Sequence, residues 1–199
     1  MFQIKTDDIM VVCGKRRSGK TFFTKWLLSK FPRAVIWDYN HEYKLRNSVI
    51  VYDLKQLIPQ LLTGKYRYIV YRPLIKTEQT FEAFCHTCEK LRNIVIVIEE
   101  VERFATAWLI QPSLKRLIDT GRHKGIGLIF TMRRTLRVNP DITFNADFIF
   151  AFSQHRPQDL DYLAEYMNPE TVYKLSKLPL FWFICYEDRS GKTYVCRKV

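Results

Sequence analysis

Apolar residues recur along the chain in short continuous runs. Ile9–Cys13, Ala34–Trp37, Val49–Tyr52, Tyr66–Tyr71, Ile94–Ile98, Ile126–Thr131 and Asp147–Phe152 are each four to six residues long and rich in β-branched or aromatic side chains. Runs of this kind predict strands buried on both faces of a mostly parallel sheet. Helix-like segments fill the gaps. Thr21–Phe31 stops at Pro32, and Leu54–Leu62 starts from Asp53 with Gln56 three residues on and ends before Gly64. Thr80–Leu91 leads into the next run, and Pro112–Thr120, Pro157–Met167 and Pro169–Lys177 each open on a first-turn proline. Strand and helix in alternation predict an α/β layered fold. The last two runs, Phe181–Tyr186 and Thr193–Arg197, flank Ser190-Gly191. A two-residue turn there predicts a β-hairpin at the sheet edge, with Arg189 opposite Lys192 and Cys185 opposite Cys196. No repeat or Gly/Ser linker interrupts the pattern, so residues 1–199 read as one domain.

Composition narrows the class. Hydrophobic residues at 47% and aromatics at 15% exclude a disordered chain. The longest apolar stretch, Leu180–Tyr186, falls far short of the ~20 residues of a membrane span. Met1–Asp8 has no basic stretch followed by an apolar one, which leads us to expect a protein kept inside a cell. Lys+Arg 32 against Asp+Glu 20 gives a net charge of +12, pointing to a polyanionic partner, nucleic acid first, or simply to a basic surface that maintains solubility. Glycine, at 7 residues, is about half as frequent as usual. Its placement is therefore informative: Gly14 and Gly19 bound one loop, and Gly121, Gly125 and Gly127 crowd another.

The first of these loops follows a buried-strand run and precedes a helix. Gly14-Lys15-Arg16-Arg17-Ser18-Gly19-Lys20-Thr21 is the pattern G-x-x-x-x-G-K-[ST] in the setting it requires. Glycines let the backbone curl so that successive N–H groups converge on a phosphate, and the helix N-terminus adds its positive end. Lys20 reaches the β and γ oxygens, and the Thr21 hydroxyl is suited to Mg²⁺. Lys15, Arg16 and Arg17 add positive charge that either meets phosphate or lies in solvent.

The run Ile94–Ile98 ends in Glu99-Glu100. At the carboxyl end of such a strand, the first carboxylate can hold the Mg²⁺ shell and the second can polarise an attacking water. Glu99 stands where Asp is usual. A nucleotide kinase has no need of Glu100, whereas a hydrolase has.

With these motifs in place the chain resembles the HerA/FtsK superfamily of P-loop motor ATPases, particularly the small DNA-packaging ATPases of tailless icosahedral viruses, including archaeal ones. The likeness runs from Ile9 to Leu163. It includes Asp38 through Glu42-Tyr43, the segment Gly121-Arg122 to Gly125-Ile126-Gly127, Asn145-Ala146-Asp147, and Asp159 to Leu163. The resemblance implies a RecA-like P-loop NTPase, with 164–199 a C-terminal helical segment and hairpin. It further implies hydrolysis of ATP with Mg²⁺, a homo-oligomeric ring (usually a hexamer) and translocation of double-stranded DNA into a preformed capsid. Capsid vertex or portal proteins would be further partners, and the place of work would be the cytoplasm of the infected host or the virion. It places Arg122 on the arginine that reaches a neighbouring subunit's γ-phosphate and Asp38 on an acidic residue near the phosphate pocket. The family's usual Gln after Thr131 is here Met132, which cannot usefully hydrogen-bond phosphate, so Thr131 or Arg133 would have to replace it or sensing is weakened.

The candidate residues are thus Gly14, Lys15, Arg16, Arg17, Ser18, Gly19, Lys20, Thr21, Phe22 and Asp38 for nucleotide, and Thr21 and Glu99 for Mg²⁺. Glu100 and Lys20, with Arg122 acting in trans, are the candidates for catalysis. Arg133, Arg134 and Arg137, with Lys115, Arg116 or Lys124, are candidates for tracking DNA phosphates in a ring channel. Cys85 and Cys88 lack a second pair at metal-ligand spacing and read as a buried helix face. Two other readings stay open on sequence: a P-loop kinase, and a nucleotide-dependent assembly protein without motor activity.

Overall fold

A computed structural model describes residues 3–197. The predicted runs become β1 (Ile9–Cys13), β2 (Ala34–Trp37), β3 (Ser48–Val51), β4 (Tyr68–Tyr71), β5 (Ile94–Ile98), β6 (Ile126–Met132), β7 (Phe148–Phe152), β8 (Trp182–Glu187) and β9 (Lys192–Arg197). They join in one sheet in the order β3-β4-β2-β5-β6-β1-β7-β8-β9. Every pair from β3 to β7 is parallel, and β8 and β9 add an antiparallel edge. The helices are α1 (Lys20–Leu28), α2 (Leu54–Thr63), α3 (Glu78–Cys88), α4 (Pro112–Thr120), α5 (Pro140–Phe144), α6 (Pro157–Ala164) and α7 (Pro169–Val172).

The two sheet faces are covered unequally. Helices α2 to α7 contribute Leu57, Phe84, Leu117, Ile142, Leu163 and Val172 to one core, whose aromatic centre is Trp37 against Tyr71, Phe81, Phe84 and Phe104. On the other face α1 supplies Phe23, Leu27 and Leu28. Bulky rings fill that side: Phe23 lies 4.8 Å from Phe150 and 4.6 Å from Phe183, centroid to centroid. Cys85 and Cys88 are buried in the first core, and burial pushes both thiols up from their ordinary range.

Capping explains where the helices stop. Asp53 accepts from the Gln56 N–H, and Thr77 accepts from the Thr80 N–H, so α3 begins two residues before its apolar pattern does. Helix α1 ends at Leu28 rather than Phe31, because the Lys30 and Phe31 amides bond three residues back and tighten the last turn. The short α5, capped by Asn139 with Pro140 at its first turn, has too few residues to show a period and was not expected.

The hairpin corrects the expected register. Its turn is four residues, Asp188 to Gly191, with Glu187 paired to Lys192. Cys185 therefore faces Tyr194, and Cys196 faces Phe183. The two thiols are diagonal rather than opposite, and both are free. The turn also has a tertiary role: Arg189 pairs with Asp8 and, at 3.3 Å, with Asp147. Asp147 in turn accepts from the Ile9 N–H at 2.8 Å. This cluster fastens the hairpin to the N-terminal edge of β1 and β7.

Gly127 marks the tightest backbone approach on the central strand β6: a Cβ there would lie 1.9 Å from the Thr6 carbonyl oxygen. Backbone cannot move aside as a flexible side-chain end can. Gly127→Ala should destabilise the fold by about 2 kcal/mol or more, read as a lowered midpoint in urea unfolding. An unchanged midpoint would show that the segment before β1 is not packed on β6.

Candidate nucleotide site

Strands β1, β6 and β5 run parallel side by side, so the residues that follow them emerge at one sheet edge. Cys13 is level with Met132, and Ile98 with Phe130. The glycine-bounded loop follows β1, Glu99-Glu100 follows β5, and Arg133 follows β6. A polar cavity of about 240 Å³ lies among them, lined by Arg16, Arg17, Lys20, Thr21, Asn40, Glu42, Glu99, Glu100, Thr131, Met132 and Arg133.

The loop is built for close backbone approach. Gly14 has φ 144° and Gly19 φ 107°, and a Cβ on Gly14 would sit 2.7 Å from the Phe152 Cβ. No other residue type fits both the angle and the space. Lys20 folds back onto its own loop, donating from Nζ to the Gly14 carbonyl at 2.7 Å and the Lys15 carbonyl at 2.9 Å. Burial lowers its pKa, as does the nearby Arg133 charge, against the opposing pull of Glu102 and Glu100. Among the described residues Ser18 Oγ, which is buried, has no hydrogen-bond partner. Arg16 and Arg17 are exposed, and Lys15 Nζ lies 2.6 Å from the His155 ring.

On a strand, neighbouring side chains point to opposite faces. At Glu100 the backbone turns into the left-handed region (φ 51°, ψ 49°), and both carboxylates then meet one residue, Asn40. The Asn40 N–H donates to Glu99 at 2.8 Å and its side-chain amide donates to Glu100 at 3.0 Å. The environments differ sharply. Burial, with Asp38 and Glu42 nearby, pushes Glu99 up to about 7. Burial would also raise Glu100, but hydrogen bonds from Arg103 and Asn40 and the charges of Arg133 and Arg103 outweigh it and hold that carboxyl below its usual range. Arg103 donates to Glu100 at 2.8 Å, and Arg133 is ion-paired with the same carboxylate. The Thr131 hydroxyl accepts from the Glu100 N–H at 3.3 Å, while Met132 is buried in the core. Arg133, the residue just past the end of β6, reaches the cavity beside Glu100, and Thr131 and Met132 line it too.

Two contributors were not singled out from sequence. Glu42 accepts from the Thr21 hydroxyl at 2.6 Å, and Asn40 bridges the acidic pair. Both lie in the segment after β2 that includes Asp38 and Tyr43, where their nearness to the loop depends on strand order. Asp38 itself does not line the cavity. It is fully buried and accepts from the amides of Glu42 and Tyr43 and from Arg72 at 2.7 Å, so it shapes the turn that presents Asn40 and Glu42.

The basic candidates disperse. Arg134 is paired at 3.4 Å with buried Asp159 of α6. Lys115 pairs with Asp119 and Asp141, Arg116 with Glu89, and Lys124 donates to the Glu89 carbonyl. Arg137 is exposed. Arg122 lies just before β6, at the opposite sheet edge from the loop, and is bound to Asp147 at 2.8 Å. The seven residues of β6 span roughly 20 Å, so Arg122 is out of reach of the cavity in its own chain.

The profile of the AAA domain matches residues 3–138. This chain belongs to the AAA-domain family. No curated protein sequence is detectably similar to it. Among solved structures, the AAA-domain chain is similar to the genome packaging NTPase B204 from Sulfolobus turreted icosahedral virus 2 in complex with ATP-gammaS. The TM-score is 0.83 and the identity 21%, with 98% of this chain and 100% of that chain covered. It is also similar to B204, the DNA-packaging ATPase from Sulfolobus Turreted Icosahedral Virus, with TM-score 0.80, 24% identity and 98% and 100% coverage. VirB4 of Thermoanaerobacter pseudethanolicus is more distant, with TM-score 0.68, 12% identity and 94% and 88% coverage. The expected P-loop fold, mostly parallel with an antiparallel C-terminal hairpin, is therefore borne out. No helix among the described residues is long and apolar enough to cross a membrane.

The donor set also fits a hard divalent cation. Thr21 Oγ1 and the carboxylates of Glu42 and Glu99 gather at one wall, and oxygen ligands of this kind suit Mg²⁺ alongside phosphate. Burial first, and the neighbouring Asp38 and Glu42 charges after it, raise Glu99 in this wall. Because the folded chain holds the Glu99 proton up to about 7, its contribution to stability is fully present below the usual carboxylate range and is lost as pH rises through 7. The melting temperature of ligand-free protein should fall between about pH 5 and pH 8 by an amount reflecting on the order of 3 kcal/mol. Glu99→Gln should flatten that slope; parallel slopes for the two proteins would contradict the assignment.

Proposed function

We propose that this protein is an ATP-hydrolysing motor that moves double-stranded DNA, and that its work is packaging a viral genome into a preformed capsid. The observation that carries the reading is the convergence of the glycine-bounded loop and the Glu99-Glu100 pair on one cavity, with Asn40 bridging the two carboxylates. The likeness in fold to a genome packaging NTPase over its whole length supports the biological setting.

In this reading the backbone amides of the loop cradle the phosphates of ATP, and Lys20 exchanges its two carbonyl partners for phosphate oxygens. Thr21 and Glu99, with Glu42 beside them, would hold Mg²⁺, which when bound neutralises charge on the β and γ oxygens. Glu100, kept ionised by its arginine partners, accepts a proton from the attacking water. Arg103 and Arg133 restrain that carboxylate, so hydrolysis waits until their ion pairs loosen. Arg122 serves the γ-phosphate of a neighbouring subunit, which makes turnover conditional on a ring. Arg137 is the exposed member of the basic segment and is the candidate among the three arginines that makes the DNA contact.

Glu100→Gln should bind ATP as the parent does while phosphate release falls about 100-fold or more; full turnover in that variant would remove the assigned role. Arg122→Ala should likewise bind without turnover. Mixing the two inactive proteins should restore activity, because some junctions then combine an intact Glu100 with an intact Arg122. If the mixture stays inactive, the arginine does not act between subunits. Arg137→Glu should weaken stimulation by duplex DNA and lower its salt dependence, with basal turnover unchanged; undiminished stimulation would place the DNA contact elsewhere.

A further inference from the structure

We propose that Phe181, together with Phe22 and Leu180, is the platform on which the base of the bound nucleoside triphosphate lies. The inference rests on the phosphate-loop reading and extends it to the part of the ligand that the loop cannot hold. A second cavity, about 380 Å³, opens beside the loop, with Ser18, Gly19 and Thr21 on one side and these three apolar residues on the other.

Three observations single out this wall. Phe22 is 54% exposed, Leu180 58% and Phe181 39%, so three large apolar side chains cluster in solvent next to an anion site. The Phe22 and Phe181 rings are in contact, 5.3 Å between centroids at 56°, and present one continuous aromatic surface. The Phe181 ring also packs on the loop itself, 2.9 Å from where a Cβ of Gly19 would be. The backbone points the same way. Trp182 N–H donates to the Pro179 carbonyl at 3.2 Å, closing a turn whose third residue, Phe181, has φ 67°. That position ordinarily belongs to Gly or Asn, and a bulky side chain there is under strain. The strain is held at the one place that aims a ring over the loop.

This segment lies outside residues 3–138, the part matched by the AAA-domain profile, so the approach to the C-terminal hairpin completes a site that the family core begins. The apolar wall offers a face on which either purine can stack, and Arg16, Arg17 and Glu42 also line the cavity.

The test compares ATP, GTP and inorganic tripolyphosphate on the full chain. Phe181→Ala should weaken ATP and GTP binding roughly tenfold and leave tripolyphosphate binding unchanged. Unchanged ATP affinity in that variant would overturn the platform while leaving the phosphate loop intact. Binding of neither ATP nor tripolyphosphate by the parent protein would overturn both readings. Should Phe181→Ala fail to fold, Phe181→Trp decides: added indole fluorescence that responds to ATP but not to tripolyphosphate supports the platform, and a signal indifferent to both overturns it.

Discussion

Three parallel strands set side by side constrain everything else in this molecule. Because β1, β6 and β5 all run the same way, a loop after the first, an arginine after the second and two carboxylates after the third are delivered to one edge. A single antiparallel strand among them would send one component to the far side of the sheet, as the N-terminal end of β6 does with Arg122. The strands are buried on both faces, and this is why they read as unbroken apolar runs. The aromatic bed of Phe152, Phe150 and Phe183 against Phe23 then fixes the height at which the loop curls.

Charge in the site is arranged against the trend of the chain. A protein of net charge +12 concentrates Glu42, Glu99 and Glu100 around one cavity, with Asp38 buried in the turn that presents Glu42. Their partners differ, apart from the Asn40 that Glu99 and Glu100 share. Asp38 is absorbed by Arg72 and two amides, Glu42 by Thr21, Glu100 by Arg103 and Arg133. Among the described residues Glu99 has only Asn40 as a donor, and burial pushes it up to about 7. Two adjacent carboxylates thus acquire opposite pKa directions from their surroundings.

What was legible in the sequence was local. The loop, the acidic pair, β1, β2, β5 and α4 follow from apolar runs and from residues adjacent in the chain, and the structure has them where the pattern put them. The misread features depend on distant partners. Arg133 and Arg134 look alike beside each other, yet one is claimed by Glu100 and the other by Asp159, and no spacing rule announces either. The hairpin register failed because Ser190-Gly191 suits a two-residue turn, while Arg189 is drawn to Asp8 and Asp147 and lengthens the turn to four. Asn40 and Glu42 stood in a recognised segment, but their roles needed the knowledge that β2 lies beside β5.

The most direct measurement is a crystal structure of the protein with Mg²⁺ and a non-hydrolysable ATP analogue. The account predicts that Lys20 Nζ leaves the Gly14 and Lys15 carbonyls for phosphate oxygens, that Thr21 turns from Glu42 to the metal, and that Glu99 and Glu100 face the γ-phosphate. A nucleotide bound elsewhere, with Lys20 still folded onto its own loop, would contradict it.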